Sequence, residues 1–428
     1  MTGPVSVVDR SIGLRWEGSL VMVALSEDNR RLAIWLLSAT VIGVVTGLVV
    51  VALEHAVDDV LEEIFHQPVW VPAVTVVVGA LLTAVLVRTI GGRSSASTEV
   101  FVEEYHHDQP EADPKYAPGR LAAAFTTLGS GAPLGMEGPA VYTGSAVAGF
   151  LYRRWPTAVE AAYHPMLIAG AAAGIAAVFK APAAGAIFAM EVPFRGRLSG
   201  ERVLPAIFGS AAGYLTMAAI DGTEAEAPLP VVELTYGRAL WSIVLGLVVG
   251  LGAIGVIRLV HLAEGASERA SVWVRALLAG AALAGIYAIG RGLTGESLAL
   301  TSGNSVIDWA IEPDHAIGVL IAVFLLRAIG PAISIAGGGV GGLFIPLMAA
   351  GAVIGRLFAD AVRVDDLALF VTVGAAAMLG AGYAVPLTAV VFVAEYTGQA
   401  TIIVPGLLAV AATRLVVGSR SVSPAQRP

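Results

Sequence analysis

Apolar residues are distributed along this chain in two textures. Near residues 32 to 53, 71 to 87, 238 to 257, 272 to 289 and 316 to 335 they form long unbroken segments. Each is close to the ~20 residues an α-helix needs to cross ~30 Å of hydrocarbon, so each predicts a membrane-spanning helix. Elsewhere Pro and Gly cut the apolar sequence into pieces near 119 to 134, 139 to 152, 165 to 179, 182 to 192, 204 to 220, 343 to 359, 366 to 382, 385 to 396 and 402 to 417. Several of these are too short to cross alone. Broken helices are tolerated at membrane depth only where protein or a water-filled cavity satisfies the freed backbone, so this texture predicts a transport-type core. The expected fold class is therefore all-α and polytopic, with residues 1–30 as an N-terminal segment, 31–420 as the membrane domain and 421–428 as a short tail.

Composition agrees with the pattern. The 428 residues are 57% hydrophobic and 14% charged, with a mean hydropathy of +0.80, outside the range of ordinary soluble domains. The net charge of −8 comes largely from polar stretches such as Glu54, Asp58, Asp59, Glu62 and Glu63, which read as solvated loops. No Cys is present, which excludes disulfides and thiolate metal sites. Charges scattered through the first 30 residues argue against a cleaved signal peptide. The rarity of Lys beside Arg, with abundant Ala, Gly and Val, suggests a GC-rich prokaryotic genome. Arg30 and Arg31 precede the first span, and Arg88 and Arg93 follow the second. The positive-inside rule then places the N-terminus in the cytoplasm, and Arg414, Arg420 and Arg427 place the C-terminus on the same side.

An internal repeat is visible. Gly170-Ala171-Ala172-Ala173 followed by Pro182, Phe188 and Glu191 matches Gly374-Ala375-Ala376-Ala377 followed by Pro386, Phe392 and Glu395, each pair 204 positions apart. Upstream, Gly138-Pro139 with Gly144 is echoed by Pro346 with Gly351. The shared order predicts two homologous halves, roughly 71–220 and 238–417, which in transporters commonly meet at a midplane ion site.

The sharpest chemical signal is Glu137 in Gly135-Met136-Glu137-Gly138-Pro139. An ionisable side chain within a membrane helix costs about 2.5 to 3.5 kcal/mol on insertion scales and usually marks an ion or proton path. The flanking glycines and proline break a helix and create an N-terminus with exposed N–H groups and positive partial charge, a site suited to an anion. A carboxylate and a halide compete for the same amides there, which makes Glu137 a candidate gate; the simpler alternative is a helix cap. The run Gly337 to Pro346 lacks the ending of a phosphate loop and reads as a second re-entrant turn, in which the Leu343 and Phe344 amides begin a helix. Close packing through small residues is its alternative. Glu191 and Glu395 read as carboxylates bonded to amides at helix ends. Lys180 is read as snorkelling to the interface. The pair His106-His107 beside Asp108 is read as solvated rather than metal-binding. No metal site, organic cofactor or nucleic-acid partner is expected, and the absence of a His-Glu-x-x-His pattern argues against an intramembrane enzyme.

These residues resemble the CLC family of chloride channels and chloride/proton antiporters, from about residue 33 to 420. Gly135 to Pro139 looks like the family's G-[K/R]-E-G-P with Met136 in place of the basic residue, and Gly342-Leu343-Phe344-Ile345-Pro346 looks like its G-x-F-x-P. The stretch from Phe179-Lys180-Ala181-Pro182 to Glu191 is similar to the family's segment after G-A-A-A-G, here Gly170 to Gly174. The resemblance implies two inverted-topology repeats, a homodimer with one anion path per subunit, Glu137 as gating glutamate, and central anion ligands from Leu343 and Phe344. Met136 and Gly138 complete the candidate anion-binding set, together with Ser95 from an alignment on Glu99.

Three departures bear on mechanism. The family's G-S-G-x-P is replaced by Arg93-Ser94-Ser95-Ala96-Ser97-Thr98. Val192 stands where antiporters of the family carry an internal proton-transfer glutamate. The anion-coordinating tyrosine position falls around Val422, where no Tyr is present, which predicts a wider inner gate without that phenol. The expected function is transport of chloride or a similar small anion, gated by Glu137 and channel-like or loosely proton-coupled, by a multi-pass protein of a prokaryotic inner membrane. The alternatives are a tightly coupled anion/proton antiporter, a non-transporting assembly or sensor protein, and an unrelated cation-coupled transporter.

Overall fold

The computed structural model describes residues 27–89, 97–107, 114–154, 163–198, 203–229, 233–267, 271–364 and 366–427. Ser95, Asp108 and most of the N-terminal segment lie outside the described residues. Within them the chain forms sixteen α-helices and no strands. The first half comprises α1 (Glu27–Phe65), α2 (Trp70–Thr89), α3 (Thr98–Tyr105), α4 (Ala117–Gly129), α5 (Glu137–Arg154), α6 (Tyr163–Phe179), α7 (Pro182–Glu191) and α8 (Val203–Asp221). The second comprises α9 (Tyr236–Ser267), α10 (Val272–Thr294), α11 (Asn304–Ile311), α12 (Ile317–Gly337), α13 (Phe344–Val362), α14 (Leu367–Tyr383), α15 (Pro386–Thr397) and α16 (Ile403–Val417).

Among the described residues, eight helical segments are long and apolar enough to cross a membrane, and α6, α14 and α15 are apolar but shorter. All five unbroken segments became such helices. Three of the interrupted pieces did as well: α8, α13 and the segment ending in α16. Glu54 and the acids that follow it, read as a solvated loop, are instead the closing turns of the 39-residue α1. Asp and Glu there do not break the helix, and a helix of this length, at 1.5 Å per residue, extends well beyond the hydrocarbon.

The halves repeat the same packing. Gly144 of α5 meets Gly170 of α6 backbone to backbone, and Gly351 of α13 meets Gly374 of α14 in the equivalent crossing; a Cβ on any of the four would strike the opposing main chain. Small residues at a crossing let helices approach closely where no hydrophobic force separates lipid from protein. In α13 78% of the spanning window is buried, so this helix runs through the interior rather than facing lipid. A second buried anchor is Arg327 of α12, whose guanidinium is held by the carbonyls of Leu298, Leu300, Thr301 and Ser302.

The repeated glutamates join the halves reciprocally. Glu191, at the end of α7, accepts from the Leu387 and Thr388 amides (3.1 and 2.8 Å) and the Thr388 hydroxyl (2.6 Å) at the start of α15. Glu395, near the end of α15, accepts from the Ala183 and Ala184 amides (2.9 and 2.7 Å) at the start of α7. Each carboxylate thus satisfies first-turn N–H groups of its counterpart's helix, which have no partner within their own helix.

Residues 421–427, expected as a tail, pack back onto the protein. The Val422 amide donates to Gly382 O at 2.7 Å, and Gln426 Nε2 donates to the carbonyls of Val192 and Tyr383, both at 2.8 Å.

Buried charged hydrogen bonds are each worth about 1.5 to 3 kcal/mol and are costly to leave unmade. Glu191→Ala is therefore expected to lower unfolding stability by about 3 kcal/mol, and Glu395→Ala, at a more exposed position with fewer donors, by about half that. Thermal unfolding of both variants in detergent checks the ranking.

Candidate anion site

Two re-entrant turns meet at the centre of the protein. Gly135 N donates to Gly342 O at 2.9 Å and Gly342 N donates to Gly135 O at 2.8 Å, an isolated antiparallel bridge. Immediately after each glycine a helix begins, α5 at Glu137 and α13 at Phe344, so two positive helix ends point into one space. Pro139 and Pro346 occupy the third position of their respective helices, where a missing N–H costs nothing. The absence of a Cβ at both bridge positions leaves room for this seat of the Glu137 carboxyl group, with which a Cβ on Gly135 or Gly342 would collide.

That carboxyl group is wholly buried. Its Oε1 accepts the Phe344 amide hydrogen, while Oε2 is buried without a hydrogen-bond partner. Next to it, the Leu343 amide donates to the Tyr383 hydroxyl at 3.3 Å. The Phe344 ring packs against Phe188 and Tyr383 (centroids 5.1 Å in both cases), Phe392 (5.5 Å) and Phe179 (6.2 Å), which fixes the start of α13 in an aromatic cage.

A cavity approaches this point from either side. One, of about 290 Å³, is lined by Ser97, Thr98, Glu99, Glu264, Arg275, the 338–342 glycine run, Leu343, Tyr383 and Val422. The other, of about 80 Å³, is lined by Glu54, Asp58, Met136, Phe179, Glu226, Ser302 and Ile345. Helices α1 and α2 are joined by a short link and cross in opposite directions. Glu54 and Asp58 in the later turns of α1 and Val87 at the end of α2 therefore mark opposite ends of the bundle. Glu137 lines neither cavity and stands between them.

The fold brings together Met136, Glu137, Gly138, Leu343 and Phe344. Met136 caps α5 through its carbonyl, which accepts from Ala140 N at 2.9 Å. Glu137 and Gly138 follow as first-turn residues whose N–H groups lack helical partners. The position around Val422 holds no Tyr, but a tyrosine from another part of the chain shares its cavity. Val422 does line the larger cavity, yet beside it stands Tyr383 from the end of α14, in direct contact with the Leu343 amide. An aromatic residue in Gly380-Ala381-Gly382-Tyr383-Ala384, just before the break at Pro386, was the available signal.

Other candidates settle into structural places. Val192 is fully buried at the end of α7. Lys180 follows α6 in a left-handed conformation (φ 51°) and pairs with Glu226 at 3.5 Å beside the smaller cavity. His106 Nε2 bonds the Pro193 carbonyl at 2.9 Å, and no cluster of metal-ligating groups occurs among the described residues.

The chain is similar to known proteins over most of its length. It is 30% identical to the H(+)/Cl(-) exchange transporter ClcA of Citrobacter koseri, over 91% of this chain and 86% of that protein. It is 27% identical to ClcA of Yersinia pestis, over 91% and 85%. In fold it resembles a slow cyanobacterial Cl−/H+ antiporter (TM-score 0.81, 22% identity, 91% of this chain and 96% of that one). It equally resembles a CLC-type fluoride/proton antiporter (TM-score 0.81, 20% identity, 94% and 99%). Residues 79–418 match the family described as Voltage gated chloride channel, and this multi-pass membrane protein belongs to that family, the CLC family.

Proposed function

We propose that this protein carries chloride or a similar small inorganic anion across a prokaryotic inner membrane in exchange for protons, with Glu137 as the shared gate. The observation that carries the reading is the seat of Glu137. Its carboxylate occupies the Phe344 amide at the junction of two helix N-termini, and it separates the two cavities. An amide that holds a carboxylate also holds a halide, so the two compete for one place. A carboxylate that is displaced is free to take a proton, and once neutral it is no longer drawn back to the helix ends with the same force. The names of the relatives, which are exchangers, favour coupling over the channel-like mode that Val192 favours.

On this reading the larger cavity, at the end of the bundle that holds Arg88 and Arg275, is cytoplasmic, as are both termini. The smaller acidic cavity faces outward. The protein works as a homodimer with one path per subunit.

The decisive measurement records chloride efflux and external pH together from liposomes with a chloride gradient. Wild-type vesicles are expected to release chloride with stoichiometric proton uptake, faster at lower pH because protonation unseats Glu137. Glu137→Gln is expected to move chloride without protons and with little pH dependence. Wild-type vesicles that leak chloride without protons would favour the channel reading, and absence of halide flux would sink both.

Tyr383→Phe removes one neutral hydrogen-bonding group from the anion site, worth ~1 kcal/mol, so halide affinity is expected to fall about fivefold. Calorimetric titration of chloride in detergent measures this directly.

A further inference from the structure

On the exchange reading, protons must reach Glu137 from the larger cavity, and no residue of α7 lines it. Val192 is aliphatic, and its carbonyl is tied to Gln426. Glu191, one residue earlier, spends both carboxylate oxygens on the Leu387 and Thr388 donors of α15.

On the wall of the larger cavity, in the first turn of α3, stands Glu99. Its Oε1 is buried and has no hydrogen-bond partner, although the residue lines a space of about 290 Å³. A cavity needs only ~10 to 15 Å³ of this kind to hold a water molecule, so a file of waters fits between its walls. The groups facing Glu99 come from several elements: Glu103 one turn along α3, Glu264 of α9, Arg275 of α10 and the Tyr383 hydroxyl of α14. Burial, and then the negative charges of Glu264 and Glu103, push the Glu99 carboxyl up to about 7, a value suited to proton exchange near neutral pH. The Tyr383 hydroxyl is under the electrostatic influence of both Glu99 and Glu137, and it contacts Leu343, next to the amide that holds Glu137.

Resting on the exchange reading above, we infer that Glu99 is the cytoplasmic proton-transfer residue, passing protons between the cytoplasm and Glu137 through cavity water and the Tyr383 hydroxyl. The step balances without another reactant. The Glu99 carboxylate takes a proton from cytoplasmic water and becomes neutral. It releases that proton to cavity water or to the Tyr383 oxygen, which gives up its own. The proton ends on the Glu137 carboxylate, and Glu99 returns to its charged form; the reverse sequence discharges Glu137 to the cytoplasm.

The test uses the same liposomes, reading the ratio of protons to chloride for the full-length protein. Glu99→Gln is expected to lower that ratio by about a hundredfold, within the range that a positioned acid or base supplies, while chloride still moves. Glu99→Asp, which keeps a carboxyl, is expected to restore most of the ratio. Glu264→Gln removes a negative neighbour and is expected to shift the midpoint of internal-pH dependence downward. A Glu99→Gln protein with the wild-type ratio overturns the assignment, as does a variant that loses both fluxes in proportion while Glu264→Gln leaves the midpoint unmoved. The exchange reading is judged on wild type alone: chloride flux without protons there overturns it, and the assignment with it.

Discussion

A main chain that leaves its helix inside the bilayer must find partners for its N–H and C=O groups, and the Gly135–Gly342 bridge is where this chain does so. Two hydrogen bonds between two turns leave the following N–H groups of α5 and α13 without partners inside their own helices and aimed at each other's neighbourhood. Unpaired donors at two helix ends form a place of positive potential in a medium that screens it poorly. The Glu137 carboxylate follows from that potential. It fits only because both bridging residues lack a Cβ. The glycines therefore serve backbone pairing and space for the Glu137 carboxylate at the same positions.

The same problem is solved a second time, with a different outcome. Helices α7 and α15 also begin with unpaired first-turn N–H groups, and Glu395 and Glu191 cap them reciprocally. The contrast with Glu137 lies in how many bonds hold each carboxylate. Glu191 has three donors shared over both oxygens, so leaving would strand all three at a cost of several kcal/mol, on the order of twice that of a single charged hydrogen bond. Glu137 has one donor from across the bridge and an oxygen with no partner. One arrangement satisfies both oxygens and the other leaves one without a partner. Chemistry alone does not separate these glutamates; the number of satisfied lone pairs does.

Much of this was legible in the sequence because it follows from local chemistry. Glycine and proline announce broken helices wherever they fall, and the 204-residue spacing from Gly170 to Gly374 and from Glu191 to Glu395 became matching crossings and reciprocal caps. What was not legible depended on partners distant in sequence. Tyr383 reaches Leu343 only because α14 packs on α13, and Lys180 meets Glu226 only because the loop after α8 returns over α6. The fold of 421–427 likewise rests on acceptors at Val192 and Tyr383. The acids of α1 misled for another reason: a charged stretch marks departure from the membrane, and a helix can continue after leaving it.

The two cavities differ in a way that bears on direction. In the smaller one, a single lysine, Lys180, pairs with Glu226 and faces three carboxyl groups, those of Glu226, Glu54 and Asp58. A carboxylate-rich mouth lowers the local concentration of free anions and raises that of protons, an effect amplified by low-dielectric walls. The larger cavity sets Arg275 against Glu99 and Glu264, a more even balance, in more than three times the volume. A pure anion conduit gains nothing from a negative entrance. On the exchange reading proposed above, in which each displaced Glu137 must find a proton before it reseats, the acids of the smaller cavity and the titrating carboxyl of the larger one serve the same residue from both sides.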